Sequence, residues 1–389
     1  MTASGRPRRI LVFAPSKEGG IPHYTHHQAE EITRRGIEVV MLCSGQHPWR
    51  QDQVSYRQIR RLPDGRTGPT VWHKAMQVWH HVWIHYLLFW WTLRVKPDVV
   101  LFEANTEFYG ALWSWPHLMM RALGTKYVMT LHDPVRGLWF GPKWFSRLSR
   151  WSAYRILHGG LVHGKPPEGA FLPHWLDVES VPHGLFDHMG AATPPYDLRG
   201  RLGIARESYL LLSFGHIADR KNQHLLVEAV ARMPGTSLVI AGPQMSRRNR
   251  PPQYYRDQAA ALGCADRVRV IDSFVPDEEA SAYFAACDAV ALTYDSNFVS
   301  QSGVIQIAAQ WDKPVLASSG PGPLRASVEG PGIGLFVAPD STDEIVDGLT
   351  RLMNDRTDRS AAFAAFREGA SWKENVDGLL RLIDRIRKA

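Results

Sequence analysis

The sequence predicts an α/β protein made of two doubly wound domains. Its 389 residues exceed what one hydrophobic core usually supports. Short apolar runs alternate with amphipathic segments along the chain, which is typical of parallel sheets covered by helices. This alternation stops over a segment rich in proline and glycine and then starts again. We therefore expect one domain on each side of that segment.

The first half opens with a strand, a helix and a second strand, which is one βαβ unit and implies a parallel sheet. The loop after the first strand contains the pair Gly19 and Gly20. Glycines at that place allow the backbone to approach a ligand closely. The elements predicted in this half are strands at residues 9–14, 38–43, 98–102 and 126–131, and a helix at residues 23–35.

Residues 72–93 form an aromatic segment that is predicted to be a long helix. Histidines are interleaved with its five tryptophans, which are Trp72, Trp79, Trp83, Trp90 and Trp91. The purely apolar part, residues 86–91, is far shorter than the roughly 20 apolar residues that cross a bilayer. A helix packed on the sheet and a helix lying in the lipid headgroup region both produce such a stripe. Both interpretations stay open.

Between residues 166 and 195 the pattern breaks up into prolines, glycines and turns, so we place the domain boundary there. We expect one domain at residues 1–185 and a second at 186–370. A closing helix within 371–389 should pack against the rest of the protein, because its apolar residues share one face. The elements predicted in the second half are strands at residues 209–214, 237–241, 268–271, 289–293 and 314–317, and a helix at 223–233.

In doubly wound sheets, ligands bind at the carboxyl ends of the strands, so a central cleft that both domains face is the expected site. Arg220 and Lys221 stand where the loop after one such strand gives way to a helix. Two cations beside the positive end of a helix dipole form an anion site. The pattern therefore predicts that a phosphate group binds there.

The net charge indicates the class of partner, and the cysteines indicate the cellular compartment. The net charge is +7 and the isoelectric point is about 9.3, which favours acidic partners such as phosphorylated substrates or anionic lipid. No RNA-binding or zinc-finger signature is present, so we do not expect nucleic acid as a partner. Three widely spaced cysteines in apolar contexts indicate reduced thiols. We expect a cytoplasmic protein, at the inner face of the membrane if the aromatic segment contacts lipid.

Motifs along nearly the whole chain resemble those of the retaining glycosyltransferases of family four, which have the two-domain GT-B fold. They occur in the order of the family. The motifs that carry the resemblance are Gly19-Gly20-Ile21 with His23-Tyr24-Thr25, Glu103-Ala104-Asn105, Thr130-Leu131-His132-Asp133, Val181-Pro182-His183-Gly184, Gly215-His216-Ile217 with Arg220-Lys221-Asn222, Ser300-Gln301-Ser302-Gly303 through Lys313-Pro314-Val315, and Ser371-Trp372.

The resemblance implies roles for individual residues. It assigns His132 to a hydrogen bond with the donor sugar, and Lys221 with Arg220 to the departing phosphate. It implies an N-terminal acceptor-side domain and a C-terminal nucleotide-sugar-binding domain. It also implies that the closing helix within 371–389 packs back on the N-terminal domain. The donor-binding residues that it implies are Gly19, Gly20, His216, Ser300, Ser302, Gly303 and Gln306. The acceptor-side residues are His23, Tyr24, Glu103 and Asn105.

The chain departs from the family pattern at two places. His216 stands where the family usually has arginine. The family's pair of glutamates, eight positions apart, falls on Val299 and Ile307, and Gln306 is the expected substitute on the ribose. A Ser-Gln-Ser-Gly loop of this kind resembles a variant found in polysaccharide-assembly members. The resemblance thus implies a polysaccharide-assembly-like member without the usual glutamate pair.

The function implied is transfer of a hexose from a nucleotide-diphosphate sugar to a glycan or lipid-linked acceptor, in exopolysaccharide or cell-envelope glycan synthesis. We expect a retaining, metal-independent enzyme with no cofactor besides the nucleotide-sugar co-substrate. No Asp-x-Asp motif is present to hold a metal on a diphosphate. The alternative is a catalytically degenerate relative that acts as a binding or scaffold subunit of a glycan-assembly complex. A nicotinamide dehydrogenase is disfavoured, because neither half has Gly-x-Gly-x-x-Gly after its first strand.

Overall fold

The computed structural model describes residues 6–17, 19–65, 70–103, 107–132, 135, 141–166, 169–186, 194 and 196–388. The chain divides into two compact units. Unit 1 consists of Met1–Gly184 and Trp372–Ala389, and unit 2 of Leu185–Ser371. Each unit is built around one parallel sheet with helices on both faces. The predicted α/β class is confirmed.

Unit 1 has a seven-stranded parallel sheet in the order β3-β2-β1-β4-β5-β6-β7. Its strands are short and apolar because helices cover both faces of the sheet. The central strand β1 pairs with β2 on one side and β4 on the other, with Ile10 opposite Val39 and Val99. The strands are β1 Arg9–Ala14, β2 Glu38–Ser44, β3 Arg57–Leu62, β4 Val99–Phe102, β5 Lys126–Thr130, β6 Gly159–Val162 and β7 Asp177–Ser180.

Five helices cover this sheet. Three of them, α2 Val71–Val95, α3 Gly110–Ala122 and α4 Lys143–Arg155, pack on one face and bury Leu88, Trp113 and Ala153 against it. The other two, α1 Gly20–Arg34 and α13 Trp372–Lys388, pack on the opposite face through residues such as Ile32 and Leu379.

Helix α2 contains the tryptophan-rich segment. It begins after Thr70, whose hydroxyl accepts a hydrogen bond from the His73 N–H, and it ends at Lys96 in the left-handed conformation. Its inner side is buried at Ile84 and Leu88 in the core. The helix therefore packs on the sheet, as one of the two interpretations predicted, and it also exposes tryptophans. Among the described residues, none of the helices combines the length and the apolar composition that crossing a membrane requires.

Helix α13 carries a buried polar residue, Asn375, among its apolar contacts. The Asn375 amide donates to the Tyr24 hydroxyl and to the Pro182 carbonyl oxygen, both at 2.7 Å. It also accepts from the Gln28 amide at 2.9 Å. Buried polar groups must find such partners, so this set fixes how α13 lies on α1.

Replacing Asn375 with alanine is expected to lower the free energy of unfolding of unit 1 by about 3 kcal/mol, because the buried partners of the amide lose their hydrogen bonds. Thermal and urea unfolding would measure this loss. The matched control is Lys373→Ala, which removes an exposed side chain from the same helix and should change stability by less than about 0.5 kcal/mol. Equal effects of the two substitutions would contradict the expectation.

Unit 2 has a six-stranded parallel sheet in the order β10-β9-β8-β11-β12-β13. The strands are β8 Tyr209–Phe214, β9 Thr236–Ala241, β10 Val268–Ile271, β11 Ala289–Thr293, β12 Val315–Ser318 and β13 Gly334–Phe336. The helices are α5 Leu198–Leu202, α6 Gln223–Arg232, α7 Pro252–Ala261, α8 Asp277–Ala286, α9 Val304–Gln310, α10 Pro323–Glu329, α11 Thr342–Asn354 and α12 Ser360–Gly369.

Four strands have no counterpart in the sequence prediction, because each is either polar or too short to be recognised as a strand. Strand β3 (RQIRRL) is a charged edge strand, and β6 and β13 are only four and three residues long and begin with glycine. Strand β7 (DVES) is polar and lies at the other edge of its sheet. Strand β7 lies within residues 166–195, where the apolar pattern breaks up, because edge pairing supplies its hydrogen bonds without requiring an apolar pattern.

Candidate functional site

Polar side chains follow three adjacent strands of unit 1 at the points where these strands end. Glu103 comes directly after β4, His132 follows β5 by two residues, and His163 comes directly after β6. His183 lies three residues beyond β7. Because the carboxyl ends of parallel strands share one edge of the sheet, these side chains converge there.

Glu103 and His132 form the polar centre of this edge. The Glu103 carboxylate is 0% exposed, and one of its oxygens accepts a hydrogen bond of 2.8 Å from the Thr130 hydroxyl. Its other oxygen lies 3.6 Å from Nε2 of His132, whose side chain is 12% exposed. The buried carboxylate thus favours an imidazole that carries a proton on Nε2, the nitrogen that faces it. This is the geometry of a carboxylate that orients a histidine.

Burial and the neighbouring imidazole have opposite effects on the carboxyl group. Burial raises the pKa of Glu103 from its ordinary value, whereas the hydrogen bond and charge of His132 lower it. Removal of His132 would therefore leave the pKa of Glu103 more strongly raised by burial.

Two further imidazoles extend the cluster. His163 Nε2 lies 3.4 Å from His132 Nδ1, and the rings of His163 and His183 have centroids 5.0 Å apart. Burial, and then the neighbouring histidines, depress the pKa of His163 far below its usual value and that of His183 to about 4. Both rings are therefore neutral at pH 7. A neutral imidazole has one donor and one acceptor nitrogen, so these rings can act as hydrogen-bond partners of His132.

In the described part of the chain, His132, His163 and His183 also form a group of side chains of the kind that bind a metal ion. Their ligand nitrogens lie within 4.8 Å of one another. Nitrogens that share one zinc ion at the usual Zn–N distance of about 2.0–2.1 Å stand about 3.3 Å apart. The cluster as it stands is thus wider than a metal site, and a hydrogen bond already joins two of its members.

The Tyr24 ring packs against the three histidines of the cluster. Its ring makes edge-to-face contacts with His132, His163 and His183 at centroid distances of 4.8–5.2 Å. Tyr24 is fully buried, and its hydroxyl is held by Gln28 and Asn375. It was expected on the acceptor side, and its burial gives it the role of positioning the histidines.

The other candidates of unit 1 lie around the start of α1. Gly19 has φ of +82°, a conformation that side chains disfavour, and is followed by exposed Gly20 at the first helical residue. His23 lies against the Trp49 ring at 4.9 Å rather than in the cluster around His132. Asn105, expected on the acceptor side, lies outside the described residues.

The candidate donor residues of unit 2 lie in the loop that follows β8. Gly215 has φ of +86°, and a Cβ atom added to it would meet Lys221 Nζ at 3.2 Å. The chain then forms a tight helical turn at Asp219–Lys221 and enters α6 through Asn222 in the left-handed conformation. This loop turns the Lys221 side chain back over the end of β8, where Nζ donates to the Phe214 carbonyl oxygen at 2.6 Å.

The surroundings of Lys221 disfavour its charged form. Burial, and then the charge of Arg220, lower its pKa from 10.5 to about 7. An isolated buried ammonium is costly, and a bound anion would relieve that cost. A lysine with such a perturbed pKa at the end of a central strand is a candidate for binding a charged ligand.

Aromatic rings connect this loop to the loop after β11. The Arg220 guanidinium lies 5.5 Å from the centre of the Phe298 ring, which stacks on Tyr294 at 3.8 Å. The Tyr294 hydroxyl is 2.9 Å from the Ser302 hydroxyl. Backbone bonds join the same two loops, since the Asp295 N–H donates to the Arg220 carbonyl oxygen at 2.8 Å. Arg220, Lys221 and Ser302 therefore belong to one assembly.

The residues around the start of α9 have different surroundings. Gly303 precedes α9, and Val304 lies within 4.0 Å of the position of a Cβ on Gly215. Ser300 is half-buried, and His216 is exposed in the loop after β8. Ile307 lies in the apolar core.

Gln306 is the buried polar residue of α9. It is 2% exposed, and its Oε1 has no hydrogen-bond partner among the described residues. An unsatisfied buried amide oxygen is unfavourable unless a ligand hydroxyl or water donates to it. The unpaired amide oxygen agrees with a Gln306 side chain that faces a ligand, so Gln306 remains a candidate for binding the donor.

Sequence reasoning missed His163, Thr130 as the partner of Glu103, and the Tyr294–Phe298 stack. His163 was missed because β6, which positions it, is a four-residue strand beginning with two glycines. Its signal was present, since it follows a short apolar run as His132 does. The aromatic stack leaves no such signal, because it depends on a loop conformation rather than on spacing.

Two family models match the chain, one in each unit. The model described as Glycosyltransferase Family 4 matches residues 18–161, and the model described as Glycosyl transferases group 1 matches residues 197–368. The chain belongs to the family-four glycosyltransferases. This glycosyltransferase contains His132 within the first match and Lys221 within the second.

Curated relatives of this glycosyltransferase include D-inositol 3-phosphate glycosyltransferases. The one from Mycobacteroides abscessus is 27% identical over 183 residues, which are 47% of this chain and 40% of the relative. The one from Frankia alni is 32% identical over 199 residues, 48% of each chain. The chain thus spans less than half the length of these curated relatives.

Solved structures share the fold along nearly the whole chain. A sucrose-phosphate synthase from Thermosynechococcus elongatus is 17% identical with a TM-score of 0.72, over 97% of this chain and 99% of that one. HepE from Anabaena, solved in complex with UDP-glucose, is 19% identical with a TM-score of 0.66, over 98% of both chains. The family-four glycosyltransferase described here therefore has the GT-B fold.

Proposed function

We propose that this glycosyltransferase moves a hexose from a nucleotide-diphosphate sugar to a glycan or lipid-linked acceptor, with retention of anomeric configuration. The observation that carries the proposal is Lys221, a half-buried lysine whose Nζ lies over the end of a central strand and whose pKa is lowered to about 7. A diphosphate supplies the negative charge that this group lacks in the free protein. We assign the product to exopolysaccharide or cell-envelope glycan synthesis.

The proposed donor site uses the residues around Gly215. Lys221 and Arg220 would bind the diphosphate, and both would stabilise the charge that grows on it as the sugar departs. Ser300, Ser302 and Gly303 precede α9, and the hydroxyls of Ser300 and Ser302 would contact the sugar or the phosphate. The unsatisfied Oε1 of Gln306 would accept a hydrogen bond from a ribose hydroxyl.

The proposed role of His132 is a hydrogen bond to the transferred sugar. Glu103 would fix the orientation of the imidazole by favouring a proton on Nε2, the nitrogen that faces the carboxylate. In a retaining front-face reaction, the bond from the anomeric carbon to the phosphate oxygen breaks and the acceptor oxygen bonds on the same face. The departing phosphate oxygen takes the acceptor proton, so no separate base is required.

Thermal-shift measurements with UDP, GDP, ADP, TDP and their hexose conjugates test the donor site. UDP and UDP-glucose are tested first, because HepE was solved with UDP-glucose. A ligand at 100 times its Kd stabilises the folded state by about 2.7 kcal/mol, which raises Tm measurably. One nucleotide should stand out. No shift with any of them would favour the alternative proposal, a scaffold subunit, for which Val299 and Ile307 in place of glutamates argue.

Sugar transfer is expected to survive treatment with EDTA. The charge that a divalent cation would supply to the diphosphate comes, in this proposal, from Lys221 and Arg220. The transfer rate should change by less than about twofold after chelation and dialysis. Loss of activity that Mg²⁺ or Mn²⁺ restores would contradict metal independence.

A further inference from the structure

The outer surface of helices α2, α3 and α4 is unusually apolar for a surface. Of the seventeen large hydrophobic side chains that are exposed in the described residues, thirteen lie between residues 72 and 151. Seven of these are tryptophans. We call this surface the tryptophan face, and its members are Trp72, Trp79, Trp83, Trp90, Leu93, Leu112, Trp115, Leu118, Met119, Leu123, Trp144, Leu148 and Trp151.

The same helices carry charge of one sign. Their sequences contain seven lysines and arginines and no aspartate or glutamate. The whole chain has a net charge of +7, so the rest of the chain is close to balanced. The basic residues are Lys74, Arg94, Arg121, Lys143, Arg147, Arg150 and Arg155.

Direct contacts join the three helices into one surface. The Trp115 indole donates to the Tyr86 hydroxyl at 2.9 Å, and that hydroxyl donates to the Leu112 carbonyl oxygen, which links α2 to α3. The backbones of α3 and α4 approach so closely that a Cβ on Gly110 would lie 2.2 Å from the Ser149 carbonyl oxygen. All three helices bury their other side in the same core.

The rings on this face are held outward rather than turned inward. Trp79 and Trp83 are 56% and 42% exposed, and their rings stack at a centroid distance of 5.4 Å. The Arg94 guanidinium lies 4.6 Å from the centre of the Trp90 ring. Indoles beside cationic side chains, on helices that lie flat on a domain, match the composition of surfaces that enter the headgroup region of a bilayer.

We infer that the tryptophan face binds the surface of an anionic lipid bilayer, with the indoles in the headgroup region and the lysines and arginines against lipid phosphates. The charge pattern selects this occupant over a second copy of the chain. A symmetric dimer through this face would bring the exposed cations of α2 and α4 against the same cations of a second copy, which opposes association. The inference does not depend on the proposed reaction, since binding to lipid is measured without donor or acceptor.

Flotation with defined vesicles tests the inference on the full chain. We expect binding to vesicles of 70% phosphatidylcholine and 30% phosphatidylglycerol at least tenfold tighter than to phosphatidylcholine alone, weakening as salt rises because surface charges are screened. Tryptophan fluorescence should shift to shorter wavelength on binding and be quenched by brominated lipid. No flotation with the anionic vesicles at low salt would overturn the inference.

Two variants separate the apolar and the charged contributions. Trp79→Ser with Trp83→Ser should weaken vesicle binding at least tenfold, and Lys74→Glu with Lys143→Glu should remove the preference for anionic lipid. All four side chains are exposed, so Tm should stay within a few degrees. The matched control is Phe274→Ser, which removes an equally exposed aromatic ring from unit 2 and should leave binding unchanged.

Light scattering in solution tests the competing occupant. A chain that is a dimer without lipid, and that becomes a monomer in the Trp79→Ser, Trp83→Ser variant, would show that a second copy covers this face and would overturn the lipid inference. Nucleotide thermal shifts on the same variants should match the wild type. A protein that fails in vesicle binding but keeps its nucleotide shift separates failure of this inference from failure of the proposed function.

Discussion

Replacing Lys221 with methionine is expected to reduce the rate of sugar transfer by about a hundredfold to a thousandfold. Removing one preorganised group that stabilises charge in a transition state typically has an effect of this size. Methionine keeps most of the apolar stem, so the fold should persist while the ammonium group is lost. Steady-state rates with the nucleotide sugar identified by thermal shift would measure the effect. A loss below about threefold would contradict the assignment of Lys221 to the phosphates.

The pH dependence of donor affinity tests the same residue independently. Burial and Arg220 lower the pKa of Lys221 to about 7, so the ammonium is charged below pH 7 and loses its proton above it. Donor affinity should therefore be highest below pH 7 and fall as pH rises, by up to tenfold per pH unit, until the pKa of the bound complex is reached. Calorimetric titration between pH 6 and 9 measures this directly.

Lys221→Arg is the matched control for that titration. Arginine stays charged throughout this pH range, so its affinity profile should be flat, even if its different shape weakens binding. The stability of the free protein gives a second readout. Because the folded pKa lies below the unfolded one, the contribution of Lys221 to the free energy of unfolding rises between about pH 7 and 10.5. Both dependences should vanish in Lys221→Met.

Substitution of His132 by alanine is expected to lower kcat by about a hundredfold to a thousandfold, with a smaller effect on nucleotide affinity. The nucleotide contacts are assigned to unit 2, whereas the hydrogen bond from His132 is assigned to the transferred sugar. An interaction made mainly in the transition state lowers kcat rather than raising KM. An equal loss of UDP or GDP affinity would instead indicate a general binding role.

Glu103→Gln tests how the buried carboxylate acts. Glutamine keeps the shape and can still accept from Thr130, but it carries no charge to favour a proton on His132 Nε2. We expect kcat to fall about tenfold to a hundredfold. If Glu103 acts through His132, then the double variant Glu103→Gln, His132→Ala should be no slower than His132→Ala alone. Additive losses would indicate that Glu103 contacts the substrate itself.

Much of the local structure followed from the sequence because it depends on local patterns. Strands β1, β8, β10 and β11 were predicted to the residue, since each is a short run of mainly apolar residues that is visible in the sequence. The closing helix followed from its one apolar face. Edge strands such as β3 and β7 did not, because their pairing partner rather than their composition makes them strands.

The candidate site was predictable to the extent that strand ends were. Glu103, His132 and Lys221 were identified because each follows a recognisable strand or loop. His163 and the stack of Tyr294 on Phe298 were not, because β6 is short and a loop conformation has no period. Gln306 was predicted from its position beside Ile307, and the structure adds that its amide oxygen is buried without a partner among the described residues.

The sequence by itself determined the α/β class, the two-domain organisation and the family, because apolar periodicity and strand-end motifs depend only on residues close together in the chain. Tertiary structure alone decided which side of α2 is exposed. Both a packed and a lipid-facing helix have the stripe that contains Trp79 and Trp83. Burial of Ile84 and Leu88 against the sheet assigned one side to the core and left the indoles outward. Burial depends on neighbours distant in sequence, and no local pattern encodes them.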